Sequence, residues 1–201
     1  VTGGVRRRSL LLVCLVALAG CGGGGSNVTV PAGFTVRTVD NASFSIALPQ
    51  SWRSFGDRSH ASAKKIAGDN ERLRVELETL AESNSPIKLV AFDLSGRRAS
   101  TNMNVLLTQV PSSLTFEEMA RTEARQIRSA TGAKFLRQEE THLPAGRALH
   151  LTYRAGSGSV LQQYFIRHDD FLYVLTYSTR SADAARHAKI FDLSAHTFQI
   201  G

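Results

Sequence analysis

Regular alternation of apolar and polar residues begins at Phe34. Residues 34–39 and 44–48 read as strands, with Phe44, Ile46 and Leu48 on one face. Pro49 closes the second, because it has no amide to give to a ladder. From about 59 to 82 the period lengthens to that of a helix, in one or two pieces, and Leu73, Leu77, Leu80 and Ala81 fall on one stripe. Asn84-Ser85-Pro86 ends it. Residues 88–94 and 102–110 read as strands around a loop carrying Ser95, Gly96, Arg97 and Arg98.

Thr115-Phe116-Glu117-Glu118 has the form of a capping box, in which the threonine oxygen takes the amide of the third helical residue and that residue's carboxylate reaches back. Met119, Ala120, Ala124 and Ile127 then share a face up to Gly132, a C-cap glycine. The remainder is mostly β: strands at about 135–142, 147–154, 160–168 and 171–179. Their turns are Pro144-Ala145-Gly146, Gly156-Ser157-Gly158 and Asp169-Asp170, short enough to make neighbours antiparallel. Phe171, Tyr173, Leu175 and Tyr177 point one way from the last strand while Leu172 and Val174 point the other. That strand is expected at the centre of a sheet covered on both sides. A final helix follows, capped by Ser181 with Asp183 near its positive end, and reaches about Asp192; Phe198 and Ile200 form an apolar tail.

Helices arising at three separate places must cover a largely antiparallel sheet of six to eight strands. The expected class is α+β, an α/β/α sandwich with helices on both faces.

The segment before Phe34 follows a different logic. Arg6, Arg7 and Arg8 precede an apolar run from Ser9 to Gly20 that is too short to span about 30 Å of hydrocarbon as a helix. Leu18-Ala19-Gly20-Cys21 resembles the bacterial lipobox, in which small residues admit the signal peptidase and the cysteine sulfur is acylated. Glycines 22–25 then provide a flexible exit. The expected organisation is a signal peptide over 1–20, cleaved between Gly20 and Cys21; lipid-bearing Cys21 and a glycine-rich tether over 21–33; and one domain over 34–201. At roughly 0.8 kcal/mol per buried methylene, the two or more acyl chains such a motif implies hold a protein durably at a membrane.

This division changes what composition says. The chain carries 24 Lys and Arg against 17 Asp and Glu, a formal charge of +7, but residues 1–20 hold three of those arginines and no acid, so the remainder stands at 21 against 17, or +4. The case for a nucleic-acid partner weakens accordingly. Of the two cysteines, Cys14 falls in the signal and Cys21 becomes the lipidated residue, which leaves the domain without disulfide or thiolate chemistry.

Two stretches carry a family resemblance. FSIALPQSW, with its strand, Pro49 and Trp52, resembles the opening of the PsbP/Mog1-like superfamily, which includes DcrB-type and actinobacterial LpqN-type lipoproteins. The run from Tyr164 to Ile200 is similar to that superfamily's ending: a hairpin, a short helix, then a small residue before an aromatic. Here Ala195-His196-Thr197-Phe198 stands where many members have Ser-Phe. The resemblance covers roughly residues 34–201 and implies the fold, together with a non-enzymatic accessory or binding role such as assembly of membrane complexes. It carries over no catalytic residue.

Candidate chemistry is sparse. There is no nucleophile elbow, P-loop, dinucleotide-binding glycine fingerprint or HExxH. Gly156-Ser157-Gly158-Ser159 joins two strands instead of opening a helix, so it reads as a hairpin turn and not a phosphate cradle. His168 with Asp169 and Asp170 reads as turn chemistry, because adjacent turn residues splay apart and no second histidine stands at ligand spacing. His150, beside Ala148 and Thr152 on the less apolar face of its strand, is either a partly buried hydrogen-bonded histidine or a pocket ligand or pH-responsive group. His142, His187 and His196 show no evident partner. Glu139 and Glu140 face opposite sides of a strand and form no dyad. Lys64, Lys65, Arg72, Arg74, Arg97 and Arg98 form either a solvated face or a patch for anionic headgroups. Trp52, Tyr153, Tyr164, Tyr173 and Tyr177 read as core. The reading is therefore an extracytoplasmic protein anchored through Cys21 to the cell membrane or outer membrane, with no catalytic, cofactor or metal residues, docking on an envelope or membrane protein complex. The alternative is a binding protein for a lipid or other small envelope molecule, held between sheet and helix.

Overall fold

A computed structural model describes residues 28–201, apart from 57, 58, 83, 84, 96–100 and 157. Cys21, Gly20, Arg97 and Arg98 lie outside the described residues. The chain begins with an antiparallel hairpin, β1 (Phe34–Val39) and β2 (Phe44–Pro49), joined by a single 3-10 turn whose exit residue, Ser43, sits in the left-handed region at φ 49°. It then crosses to β3 (Trp52–Phe55) and runs through α1 (His60–Ala67), α2 (Glu71–Glu82), β4 (Ile87–Asp93), β5 (Thr101–Gln109) and α3 (Phe116–Thr131). Four long strands follow, β6 (Lys134–Leu143), β7 (Gly146–Arg154), β8 (Ser159–His168) and β9 (Phe171–Arg180), then α4 (Ala184–Ala195) and the two-residue β10 (Gln199–Ile200).

Seven strands form one antiparallel sheet in the order β3-β4-β5-β9-β8-β7-β6, and β1, β2 and β10 form a second sheet of three. The strand with two apolar faces, β9, is the middle strand of the seven, as its sequence demands. The seven strands fall within the six to eight expected of the sheet, and the first two strands, which the sequence reading assigned to no sheet in particular, form with β10 a separate small sheet that lies against it. Alternation assigns a face to each side chain but names no pairing partner, which is why the pattern did not separate the two sheets.

Each face of the large sheet has its own cover. Phe44, Ile46 and Leu48 of β2, with Phe191 and Ala195 of α4 and Phe198, pack on Ala91, Met103, Val105, Tyr164, Ile166, Leu175 and Tyr177. On the opposite face, Met119 and Ala124 of α3 meet Leu149, Leu151, Tyr153, Phe165 and Val174. Toward the β3 edge, Ala63 and Ile66 of α1 and Leu73 and Leu77 of α2 close over Phe55 and Phe92. Trp52 and the four tyrosines are all buried, the core role expected of them.

Local signals fix the helix ends. The box at α3 is complete: Thr115 Oγ1 accepts from the Glu118 amide at 3.2 Å, Glu118 Oε2 accepts from the Thr115 amide at 3.1 Å, and Gly132 turns the chain out at φ 63°. Arg147 then ties that helix start to the β6–β7 hairpin. It pairs with Glu140 at 2.6 Å and Glu117 at 2.8 Å and lies 4.0 Å over the Phe116 ring. Ser181 does not cap α4. Its hydroxyl donates to the Gly158 carbonyl at 2.8 Å, while residues 181–183 form a 3-10 turn and Asp183, whose side chain caps nothing, pairs with Arg180 and Arg186.

Candidate functional site

The polar groups buried between β7, β8 and α4 form the most connected cluster. His150, Gln162 and Tyr164 stand on one face of the large sheet, in register across β7 and β8, and all three are buried. Asp192 descends onto them from α4. Its Oδ1 accepts from the Tyr164 hydroxyl and from Gln162 Nε2, each at 2.6 Å, and Gln162 also donates to the Tyr164 oxygen at 2.6 Å. The His150 ring stacks on Tyr164 with centroids 4.3 Å apart. Its Nε2 lies 3.3 Å from Thr152 Oγ1, and its Nδ1 lies 3.7 Å from Glu139, which is itself held by Arg137 at 2.6 Å.

The electrostatics of this cluster favour neutral, fixed groups. Burial, assisted by the Arg137 charge, lowers the His150 imidazole to about 4, so it is uncharged at neutral pH. Burial also raises the Tyr164 phenol well above its ordinary range, and the Asp192 carboxylate raises it further, so the hydroxyl remains a donor. With Tyr164 locked as donor and His150 packed flat against it, the set joins helix to sheet. Of the two sequence readings of His150, its hydrogen-bonded burial is what the structure displays; at 2 % exposed it is more deeply buried than expected.

His187 has partners that sequence separation concealed. From α4 its Nε2 faces Asp93 Oδ2 at 3.5 Å, its Nδ1 lies 3.0 Å from the Asp183 carbonyl, and its ring stacks on Phe191. Burial pushes the Asp93 carboxyl up. The Ser95 hydroxyl and amide, bonding at 2.6 and 3.0 Å, outweigh it together with His187 and hold the group below its usual value. Serine, aspartate and histidine are thus adjacent in the wrong order for nucleophile activation: Ser95 donates to the carboxylate and not to the imidazole. His196 also has a partner, the Asp192 carbonyl, at 2.8 Å from Nδ1.

Other sequence candidates separate in space. Glu139 pairs with Arg137 and Glu140 with Arg147, on opposite sides of β6. Arg72 pairs with Glu76, and Arg74 with both Glu71 and Glu78, so two members of the basic group spend their charge within α2, while Lys64 and Lys65 stay exposed on α1. His168 ends β8 and Asp169 opens the β8–β9 turn, at φ 51°. No grouping of three metal-ligating side chains occurs among the described residues.

Two open clefts flank the short turn at residues 40–43. One, of about 450 Å³, lies between the end of β1 and the β3–β4 edge, with Arg37, Asn41, Ser54 and Leu89 in its walls. The other, of about 740 Å³, is lined by Leu107, Phe171, Tyr173 and Ile200 together with polar residues that include Lys88, Gln109 and His168. Both lie where the small sheet meets the large one, and not between the sheet and a helix. Their walls come from distant parts of the chain, which is why spacing gave no sign of them. No helix among the described residues is long and apolar enough to cross a membrane.

No protein-family model and no curated protein matches the chain. Solved structures do. The chain is similar to cyanobacterial PsbP (CyanoP) from Synechocystis sp. PCC 6803, with a TM-score of 0.57 at 16% identity over 92% of this chain and 99% of that one. It is similar to the Ran-binding protein Mog1p of Saccharomyces cerevisiae, with a TM-score of 0.52 at 10% identity over 83% and 95% of the two chains. A Pseudomonas aeruginosa protein of unknown function gives a TM-score of 0.52 at 13% identity over 83% and 96%. At these identities the likeness establishes the fold, and it is the PsbP/Mog1-like one.

Proposed function

We propose, with the PsbP/Mog1-like fold as premise, that this chain is a lipid-anchored extracytoplasmic accessory protein that docks on an envelope or membrane protein complex and catalyses no reaction. The observation that carries the reading is Leu18-Ala19-Gly20-Cys21 followed by four glycines and then, at Phe34, the first strand of the fold. A tether of about a dozen residues has an r.m.s. reach of about 19 Å, which leaves the domain at the membrane surface and able to meet a neighbour. Mog1p, of the same fold, is by its name a Ran-binding protein. That supports protein binding as a use of this architecture without identifying a partner.

The reading is tested in two steps. Labelled palmitate enters the cellular protein and is lost in Cys21→Ser, which leaves the membrane fraction; failure of either removes the anchor. Crosslinking in native membranes then captures a defined neighbour, and random neighbours alone refute docking.

The cleft of about 740 Å³ favours a second reading, a binding protein for a lipid or other small envelope molecule, since its volume and its mixture of apolar and polar lining residues suit such a ligand. Native mass spectrometry of protein taken gently from membranes separates the two: a retained adduct supports it, and a clean apo mass counts against it.

A further inference from the structure

Arg37 stands on the inward face of β1, although the apolar positions Phe34 and Val36 of that strand lie on the other face. It is in register with Ile46, and directly opposed residues of an antiparallel pair share a face. Its side chain therefore enters on the side of Ile46, which is fully buried in the main core. The Nε of Arg37 is closed off from solvent and has no hydrogen-bond partner. Arg167 Nε is in the same position, but that guanidinium donates through Nη2 to the Ser112 carbonyl at 2.7 Å. The Arg37 side chain has no ion pair or hydrogen bond with any described residue. A buried donor without an acceptor costs free energy and calls for an explanation.

The cleft of about 450 Å³ beside it supplies one. Its lining residues include Asn41 and Ser54, which carry neutral hydrogen-bonding side chains, and Asp40. We propose that this cleft is a carboxylate-binding site anchored by Arg37, whose planar fork matches a carboxylate through two parallel bonds, with Ser54 and Asn41 as flanking donors. The Asp40 charge repels a dianion more than a monoanion, which favours a carboxylate over phosphate. The site goes beyond the docking reading and does not rest on it: the carboxylate belongs either to an acidic side chain of a protein or to a small organic acid.

Nuclear magnetic resonance of the full chain in detergent tests this at constant ionic strength, following the Arg37 Nε–H and the amides of Asn41 and Ser54. The probes are acetate, N-acetylaspartate N-methylamide and inorganic phosphate. Either carboxylate produces saturable shifts at these positions that vanish in Arg37→Met. Tighter binding of the blocked aspartate assigns the site to a protein side chain, and equal binding to the bare carboxylate. Shifts that rise linearly without saturating, shifts that persist in Arg37→Met, or phosphate binding tighter than both carboxylates overturn the proposal. Stability gives an independent readout: a cation kept for binding destabilises the empty fold, so Arg37→Met raises Tm by a few degrees. A lower Tm, or a variant that does not fold, makes Arg37 a structural cation and refutes the site.

Discussion

Tyr164 donates its hydroxyl to Asp192 at 2.6 Å, joining the face of the large sheet to the helix that covers it. The bond has a charged acceptor and is largely screened from water, conditions under which a hydrogen bond contributes most and its loss costs most. Asp192→Ala removes the acceptor shared by Tyr164 and Gln162 and leaves two buried donors with only each other. Its expected cost is about 3 kcal/mol, against about 1.5 kcal/mol for Tyr164→Phe, which leaves the Gln162–Asp192 bond in place. Urea unfolding measures both. Equal costs would show that the carboxylate is not the hub.

His150 predicts a specific acid sensitivity. Its folded value is about 4, lowered first by burial and then by Arg137, while an unfolded histidine titrates near 6.5. The unfolded chain therefore binds the proton more tightly, so this stabilisation is fully present above about pH 6.5 and is lost as pH falls toward 4. The difference amounts to about 3 kcal/mol. Unfolding midpoints measured at pH 7 and pH 4.5 should fall steeply in the parent chain and less steeply in His150→Gln. An equal fall in both would place the sensitivity elsewhere.

What the sequence made legible depended on how local the signal was. The capping box, the central place of β9 and the buried stripes of α2 and α3 each arise within a few residues, and each stands in the structure as read. β3 was missed because four residues are too few to display a period, and Trp52 was read as core without being assigned to a strand. Ser181 looked like a cap because it precedes a helix, but the β7–β8 turn offers it the Gly158 carbonyl. The partnership of His187 with Asp93 joins α4 to β4, a contact that only tertiary packing creates. Arg37 lay in a correctly read strand, yet its inward direction became visible only once β1 was registered against β2.

Thr115 is the cheapest test of the local reading. Thr115→Ala removes the acceptor for the Glu118 amide and the hydroxyl that donates to Glu118 Oε2 at 3.0 Å, at an expected cost of about 1 kcal/mol. Hydrogen exchange should quicken in the first turn of α3 and stay unchanged in α4. Uniform quickening would mean that the whole fold, and not the helix end, had been loosened.

The end of α4 performs a task that a longer β10 would otherwise perform. β10 pairs with β2 only at Ser45 and Phe44, so the outward amide and carbonyl of Ala47, buried within the core, lie beyond its reach. Thr197 Oγ1 accepts from the Ala47 amide at 2.7 Å while donating to the Ser194 carbonyl at 2.6 Å, and Ser194 Oγ donates to the Ala47 carbonyl at 2.8 Å. The Tyr177 hydroxyl in turn donates to Ser194 at 3.0 Å, so the small sheet, the helix end and the large sheet share one bonded chain. Thr197→Val keeps the shape but strands the Ala47 amide, at an expected cost of about 2 kcal/mol. Ser194→Ala strands the Ala47 carbonyl and should cost a similar amount. Because both side chains serve one residue, the double variant should cost measurably less than the sum of the two, as a thermodynamic cycle by urea unfolding would show. Strict additivity would mean that the two bonds act independently, and that helix end and strand are not held as a unit.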